Sequence, residues 1–183
     1  MCIRDREGGY WAQTQFSKVV NYHPALNQME SIRMSGILSE FEFFRQVGIS
    51  RDSSRLLVIT NGRGGMIWYD LATKDFGKYH TPNETSFIRS FASQPNQSVI
   101  AVGSNQIWEL KAGNSQFQAF TKRIQFPTIA PHTCLIDRSG KLWVANGFDG
   151  MYHIDPKNQQ VLNMYPLGRG SNLSLIHISE PTR

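Results

Sequence analysis

An all-β fold built from repeated antiparallel sheets is what this sequence predicts, and three observations predict it. Leu135 to Tyr165 reads LIDRSGKLWVANGFDGMYHIDPKNQQVLNMY, in which short apolar runs alternate with an Asp-Arg-Ser-Gly turn, a Gly-flanked loop and an Asp-Pro-Lys-Asn turn; no helical spacing intervenes. The same sheet is written twice, because Asp52 and Asp137, Asn61 and Asn146, Gly65 and Gly150, Met66 and Met151, and Asp70 and Asp155 all stand 85 residues apart. Half of that offset is the length of a four-stranded unit of about 40 to 45 residues, and a weaker copy lies between. Leu57, Val99 and Leu142 stand 42 and 43 residues apart, Gln106 to Leu110 matches Met66 to Asp70, and Phe120 falls where Tyr79 and Tyr165 close their units. The runs LLVIT, SVIAV and KLWVA have no polar side, so both faces of each sheet need covering. Twisted sheets stacked radially supply that cover. The expected fold is a partial β-propeller: about three complete blades plus half a blade, in an open arc.

In chain order, residues 1–6 (MCIRDR) and 173–183 (LSLIHISEPTR) resemble translated sequencing adapter and are set aside. Residues 7–23 read as the end of a blade, with Gly8 and Gly9 standing for Gly64 and Gly65, and Tyr22 for Tyr79. Residues 24–48 read as a connection with an insertion, where Ile37, Phe41 and Phe44 have helical spacing. Blades follow at 49–80, 81–121 and 122–166. Asp52 and Asp137 suit the turn between the first and second strands, and Asp70 and Asp155 open the next turn, because an Asp side chain can accept a hydrogen bond from backbone two residues on.

Setting the two ends aside leaves 16 basic and 12 acidic residues, a net charge of +4 with no Lys/Arg run. A dispersed charge of that size gives no nucleic-acid footprint. Cys134 remains alone and, aligned with Ile49, reads as a small apolar core residue. No run of 18 apolar residues exists, so no membrane contact is expected in this segment.

Asp137 to Trp143, Asn146, Gly150, Met151, Ile154, Asp155 and the closing Tyr165 resemble the propeller repeat of bacterial two-component regulators, departing from it at Asp149. Ile49 to Tyr79 is similar except for Arg55 and Val58 in place of Gly and Trp, and Phe91 to Phe120 is a loose copy. The resemblance implies the periplasmic sensing region of a hybrid histidine kinase, with oligosaccharide or another small polar molecule as ligand and a homodimer in the full-length protein. It also implies a kinase, and often a DNA-binding domain, elsewhere in that protein.

The chemistry-bearing residues are sparse. Asn61 to Gly65 is glycine-rich but lacks the Lys-Ser/Thr of a phosphate loop and leads into a strand. His23, His80, His132 and His153 occur singly, without metal-ligand spacing. No G-x-S-x-G motif exists, so no catalytic constellation, metal site or cofactor is expected. In a propeller unit the loop between second and third strands shares a face with the connection to the next blade, opposite the Asp turns. That puts 61–64, 81–86, 123–132 and 146–149 on one rim, with Arg63, His132, Phe148 and Asp149 as candidate ligand-binding residues. Alternative readings are a protein-interaction scaffold of the Trp-Asp-repeat kind, weakened because Trp68 and Asp70 are separated by Tyr69, and a propeller lyase or glycosidase.

Overall fold

The computed structural model describes residues 2–4, 8–13, 18–33, 44–62, 64–83, 85–103, 106–120, 124, 131–146 and 150–166. The chain divides into two compact units, Met1–Phe87 and Ile88–Arg183. Each holds two four-stranded antiparallel meanders, and the described residues contain no helix.

In the first unit, sheet one comprises β1 (Cys2–Arg4), β2 (Tyr10–Gln13), β3 (Lys18–His23) and β4 (Gln28–Arg33). Sheet two comprises β5 (Phe44–Ile49), β6 (Arg55–Thr60), β7 (Gly65–Asp70) and β8 (Phe76–His80). Strand alternation sends Trp11, Val19 and Ile32 of the first sheet against Val47, Leu56, Val58 and Ile67 of the second. In the second unit, sheet three comprises β9 (Ser90–Ser93), β10 (Val99–Gly103), β11 (Gln106–Leu110) and β12 (Gln118–Ala119). Sheet four comprises β13 (Thr133–Ile136), β14 (Leu142–Asn146), β15 (Gly150–Asp155) and β16 (Gln160–Pro166). Ile100, Val102 and Ile107 meet Cys134, Leu142, Val144, Tyr152 and Ile154, with Phe120 and Ile124 closing the cluster. Cys134 therefore sits in the core. Burial pushes its thiol up to about 12, against a smaller opposing effect of the Ser90 hydroxyl.

The repeat is more regular in space than in sequence. The turn bonds Ser50 N–H to Arg55 O, Gln94 N–H to Ser98 O, and Asp137 N–H to Lys141 O put Arg55, Ser98 and Lys141 at one position. Leu56, Val99 and Leu142 are then equivalent, 43 residues apart at each step, whereas the sequence alignment had used Leu57. The Ser50 turn is one residue longer than the other two, which preserves the 85-residue offset of the aspartates while shifting the strand behind them. That single residue matters, because a one-residue slip exchanges the two faces of a strand. Likewise Gln106 pairs with Gly103 as Gly150 pairs with Asn146, so Leu110 matches Tyr69 and Ile154 rather than Asp70.

The first sheet differs more from expectation. Asn27, Lys74 and Gln159 hold the same left-handed position of the hairpin between third and fourth strands, with φ of 48°, 66° and 51°. His23 thus stands where Asp70 and Asp155 stand elsewhere, and Tyr22 matches Tyr69, not Tyr79. Gln28–Arg33 is a strand inside the stretch expected as a connection, and the backbone of Cys2–Arg4, set aside in the sequence, pairs with Tyr10–Ala12. Four strands are present where half a blade was expected. The first sheet, like the third with Lys111, lacks the Asp that marks this hairpin in the second and fourth, so the sequence offered nothing to fix its frame. Residues 34–43, including Ile37 and Phe41, lie outside the described residues.

One glycine explains a local fit. The Trp68 ring lies across Gly77 on the adjacent strand, and a Cβ there would come within 2.6 Å of it. Gly77→Ala should lower stability by about 1–3 kcal/mol, the usual range for overpacking. Chemical denaturation measures this directly; an unchanged midpoint contradicts it.

Candidate functional site

The four aspartates act on their own turns. Asp52 Oδ1 accepts from Ser54 N–H and from the Ser50 and Ser54 hydroxyls. Asp70 Oδ1 accepts from Ala72 and Thr73 N–H, and Asp155 Oδ1 from Lys157 N–H. Asp137 Oδ1 accepts from the backbone of Ser139 and Lys141 and from the Ser139 hydroxyl. The middle copy, which has no Asp here, uses Asn96 on Ser98 in the same manner.

Asp137 does more than turn the chain. Its Oδ2 accepts from the Trp143 indole N–H at 2.8 Å. Trp143 stacks on His153, ring centroids 4.2 Å apart, and lies 5.7 Å from Tyr165. Burial raises the Asp137 pKa, but the hydrogen bonds from Ser139, Trp143 and Lys141 outweigh it and hold the carboxyl at about 2. A carboxyl depressed in the folded state stabilises the fold above its unfolded pKa and loses that contribution as pH falls through the folded value. The Asp137 contribution is therefore full above about pH 4 and fades toward pH 2. Asp137→Asn turns an amide N–H₂ or a weaker acceptor toward the indole, and should cost about 1–2 kcal/mol at neutral pH with a flatter acid limb. Equal acid limbs for the two proteins contradict this. In sheet two the Trp68 ring, the counterpart of His153, is covered by Arg55, whose guanidinium lies 4.5 Å over it, donates to Tyr79 Oη at 2.6 Å, and approaches Asp70 at 3.6 Å. Arg55 matches Lys141, which pairs with Asp155 at 2.9 Å, and does not replace a glycine.

Of the rim candidates, Arg63, Phe148 and Asp149 lie outside the described residues. His132 is exposed and its N–H donates to Ala145 O. Gly64 N–H to Ser86 O and Thr81 N–H to Gly64 O tie loop 61–64 to 81–86 within the first unit, while His132 belongs to the second.

A cleft in the first unit opens at the opposite, Asp-turn end. Its volume is about 370 Å³, within the range of about 300–1,000 Å³ common for small-molecule pockets. Register explains one wall. Trp11 pairs with Asn21, and Asn21 with Glu30, so these three side chains form a row across sheet one, with His23 two residues beyond Asn21 on the same face. The other wall comes from the end of β5 and the turns of sheet two: Ile49, Ser53, Ser54, Leu71, Ala72 and Lys74. Asn21 Oδ1 and His23 Nδ1 are buried and have no hydrogen-bond partner. Glu30 and Lys74 face each other across the opening at 3.9 Å. Sequence reasoning missed this site because the frame error hid its signal. Correctly aligned, Asn21 stands where sheets two, three and four carry Trp68, Glu109 and His153, and His23 where they carry Asp70, Lys111 and Asp155.

Comparisons agree with the architecture. No family model matches the chain, and no curated protein matches it in sequence. Among solved structures, it is similar to virginiamycin B lyase from Staphylococcus aureus, with TM-score 0.72 and 10% identity over 92% of this chain and 55% of that one. It is similar to a domain described as the extracellular part of a hybrid two component system from B. thetaiotaomicron, with TM-score 0.66 and 16% identity over 94% of this chain and 22% of that one. The WD40 propeller domain of Doa1 aligns with TM-score 0.57 and 16% identity, over 75% of this chain and 43% of that one. At these identities the likeness shows the fold: the chain is a partial β-propeller. It spans about half the length of the lyase structures it matches.

Proposed function

We propose that this chain is a segment of a ligand-sensing β-propeller from a bacterial two-component receptor, on the periplasmic side of the membrane, and that it binds a small polar ligand of carbohydrate type. The cleft carries this reading: an open volume of small-molecule size whose wall holds two buried polar atoms without partners. Buried polar groups in native proteins are nearly always hydrogen-bonded, so a pair of exceptions beside a cavity marks where a ligand's polar groups would bond. The likeness to extracellular two-component domains and the repeat resemblance support the sensing role, along with the kinase and homodimer implied for the complete receptor.

Calorimetric titration of the whole chain with neutral oligosaccharides tests the reading. Saturable binding with the ligand recovered intact is the expected result. Recovery of cleaved or eliminated product would favour the second reading, a propeller enzyme, which the lyase likeness supports. Absence of binding together with capture of folded protein partners would favour a scaffold instead.

A further inference from the structure

The Asp-turn cleft also constrains what can enter it. Its charged groups are one carboxylate, Glu30, and one ammonium, Lys74, which face each other and cancel. Both side chains are more than half exposed, at 62% and 54%, and a pair so solvated at 3.9 Å holds the opening only weakly. The apolar part of the lining, Trp11, Ile49, Leu71 and Ala72, offers surface for carbon-bound hydrogen rather than for charge. What remains unsatisfied lies on sheet one. Asn21 Oδ1 is an acceptor, and His23 Nδ1 is an acceptor in the tautomer that carries its proton on Nε2. Both atoms are withdrawn from the surface, so a ligand reaches them through rotation about χ2, which is broad for Asn and His.

We infer that the cleft between the first two sheets binds a small uncharged molecule bearing neighbouring hydrogen-bond donors, with Asn21 and His23 as its specificity-determining residues. A donor pair satisfies both orphaned atoms, an apolar ring face covers Ile49 and Leu71, and because Glu30 and Lys74 neutralise each other the lining offers a charged ligand no net counter-charge in exchange for its lost hydration. Neutral polyols and simple amides share this donor chemistry. Because the walls come from two sheets, the occupant bridges them. The inference rests on the sensing reading only in requiring a diffusible small ligand.

The test is titration of the complete chain with D-glucose, D-xylose and acetamide, and with glucosamine and glucose 6-phosphate, which add one charged group of each sign to glucose. Neutral sugars should bind, with both charged derivatives at least about tenfold weaker; tighter binding of a charged derivative overturns the assigned class. Binding of acetamide alone keeps the site and identifies an amide as its ligand. Asn21→Ala and His23→Ala should each weaken sugar binding about tenfold, the effect of one lost hydrogen bond of about 1.4 kcal/mol. Lys111→Ala, an exposed turn change in the other unit, should leave it unaltered. The free chain supplies an independent readout. Since neither atom has a partner to lose, both variants should melt at or above the parent temperature, and Asn21→Ser and His23→Gln should restore part of the binding. Sugar binding that ignores both alanine variants but falls with His132→Ala overturns the cleft and leaves the sensing reading intact. No binding by any probe overturns the cleft inference, and the oligosaccharide titration then decides the sensing reading.

Discussion

Gly150→Ala should unfold the second unit or cost it more than about 3 kcal/mol, the range of steric conflicts that a packed backbone cannot relax. A Cβ at this position would run into the Tyr165 carbonyl oxygen and come within 2.9 Å of Pro166 Cα. The residue also holds φ at 129°, where side chains are rarely tolerated. Gly65 repeats the situation in the first unit: φ is 149° and a Cβ would meet the Tyr79 carbonyl oxygen, with His80 Cα at 3.2 Å. The cause is shared. At the start of each third strand the backbone of the fourth strand passes directly over it, pairing Gly65 with His80 and Gly150 with Pro166. Gly113→Ala is the control, because φ is 82° but nothing lies within 4 Å of its Cβ. It should cost only about 1–2 kcal/mol. Urea midpoints for the three variants settle the comparison; equal losses at Gly113 and Gly150 would contradict the close strand approach.

Leu142→Ala should cost about 2–5 kcal/mol, the range for deleting a fully buried leucine side chain. Leu142 has no exposed surface and packs in the cluster that joins the third and fourth sheets, with Val102, Val144 and Ile154 around it. Leu162→Ala, on the outer strand of the same sheet and 47% exposed, should change stability by less than about 0.5 kcal/mol. A similar loss for the two leucines would mean that the sheet-to-sheet core does not carry the stability of the unit.

Much of the fold was legible, for a physical reason. Runs such as LLVIT and KLWVA announce strands covered on both faces, and each Asp turn announces itself because the aspartate bonds its own backbone. The register was harder to read. The extra residue in the Ser50–Arg55 turn left Asp52 aligned with Asp137 while moving Leu56 into the place assigned to Leu57, and only the turn hydrogen bonds reveal this. The first sheet was misframed because His23 occupies the position that carries Asp70 and Asp155 in the second and fourth, so its hairpin lacked the expected mark.

That same departure is what makes the cleft. His23 Nδ1 makes no hydrogen bond to its turn, unlike Asp70 and Asp155, and Asn21 brings a second unpaired polar atom to the face that meets sheet two. Of the rim residues Arg63, His132, Phe148 and Asp149, the structure describes only His132, which is exposed and remote in sequence from the cleft. The informative signal was therefore the pair of unpaired buried atoms, which only the folded register reveals.

The four tryptophans, Trp11, Trp68, Trp108 and Trp143, give the most direct test of ligand binding in the cleft. In a ¹⁵N-labelled complete chain, titration with the tightest-binding neutral sugar should move the indole resonance of Trp11, whose ring lines the cleft. The Trp143 resonance, held by Asp137 in the other unit, should stay in place. Movement of Trp143 with Trp11 unchanged would contradict the account and place the ligand elsewhere on the propeller.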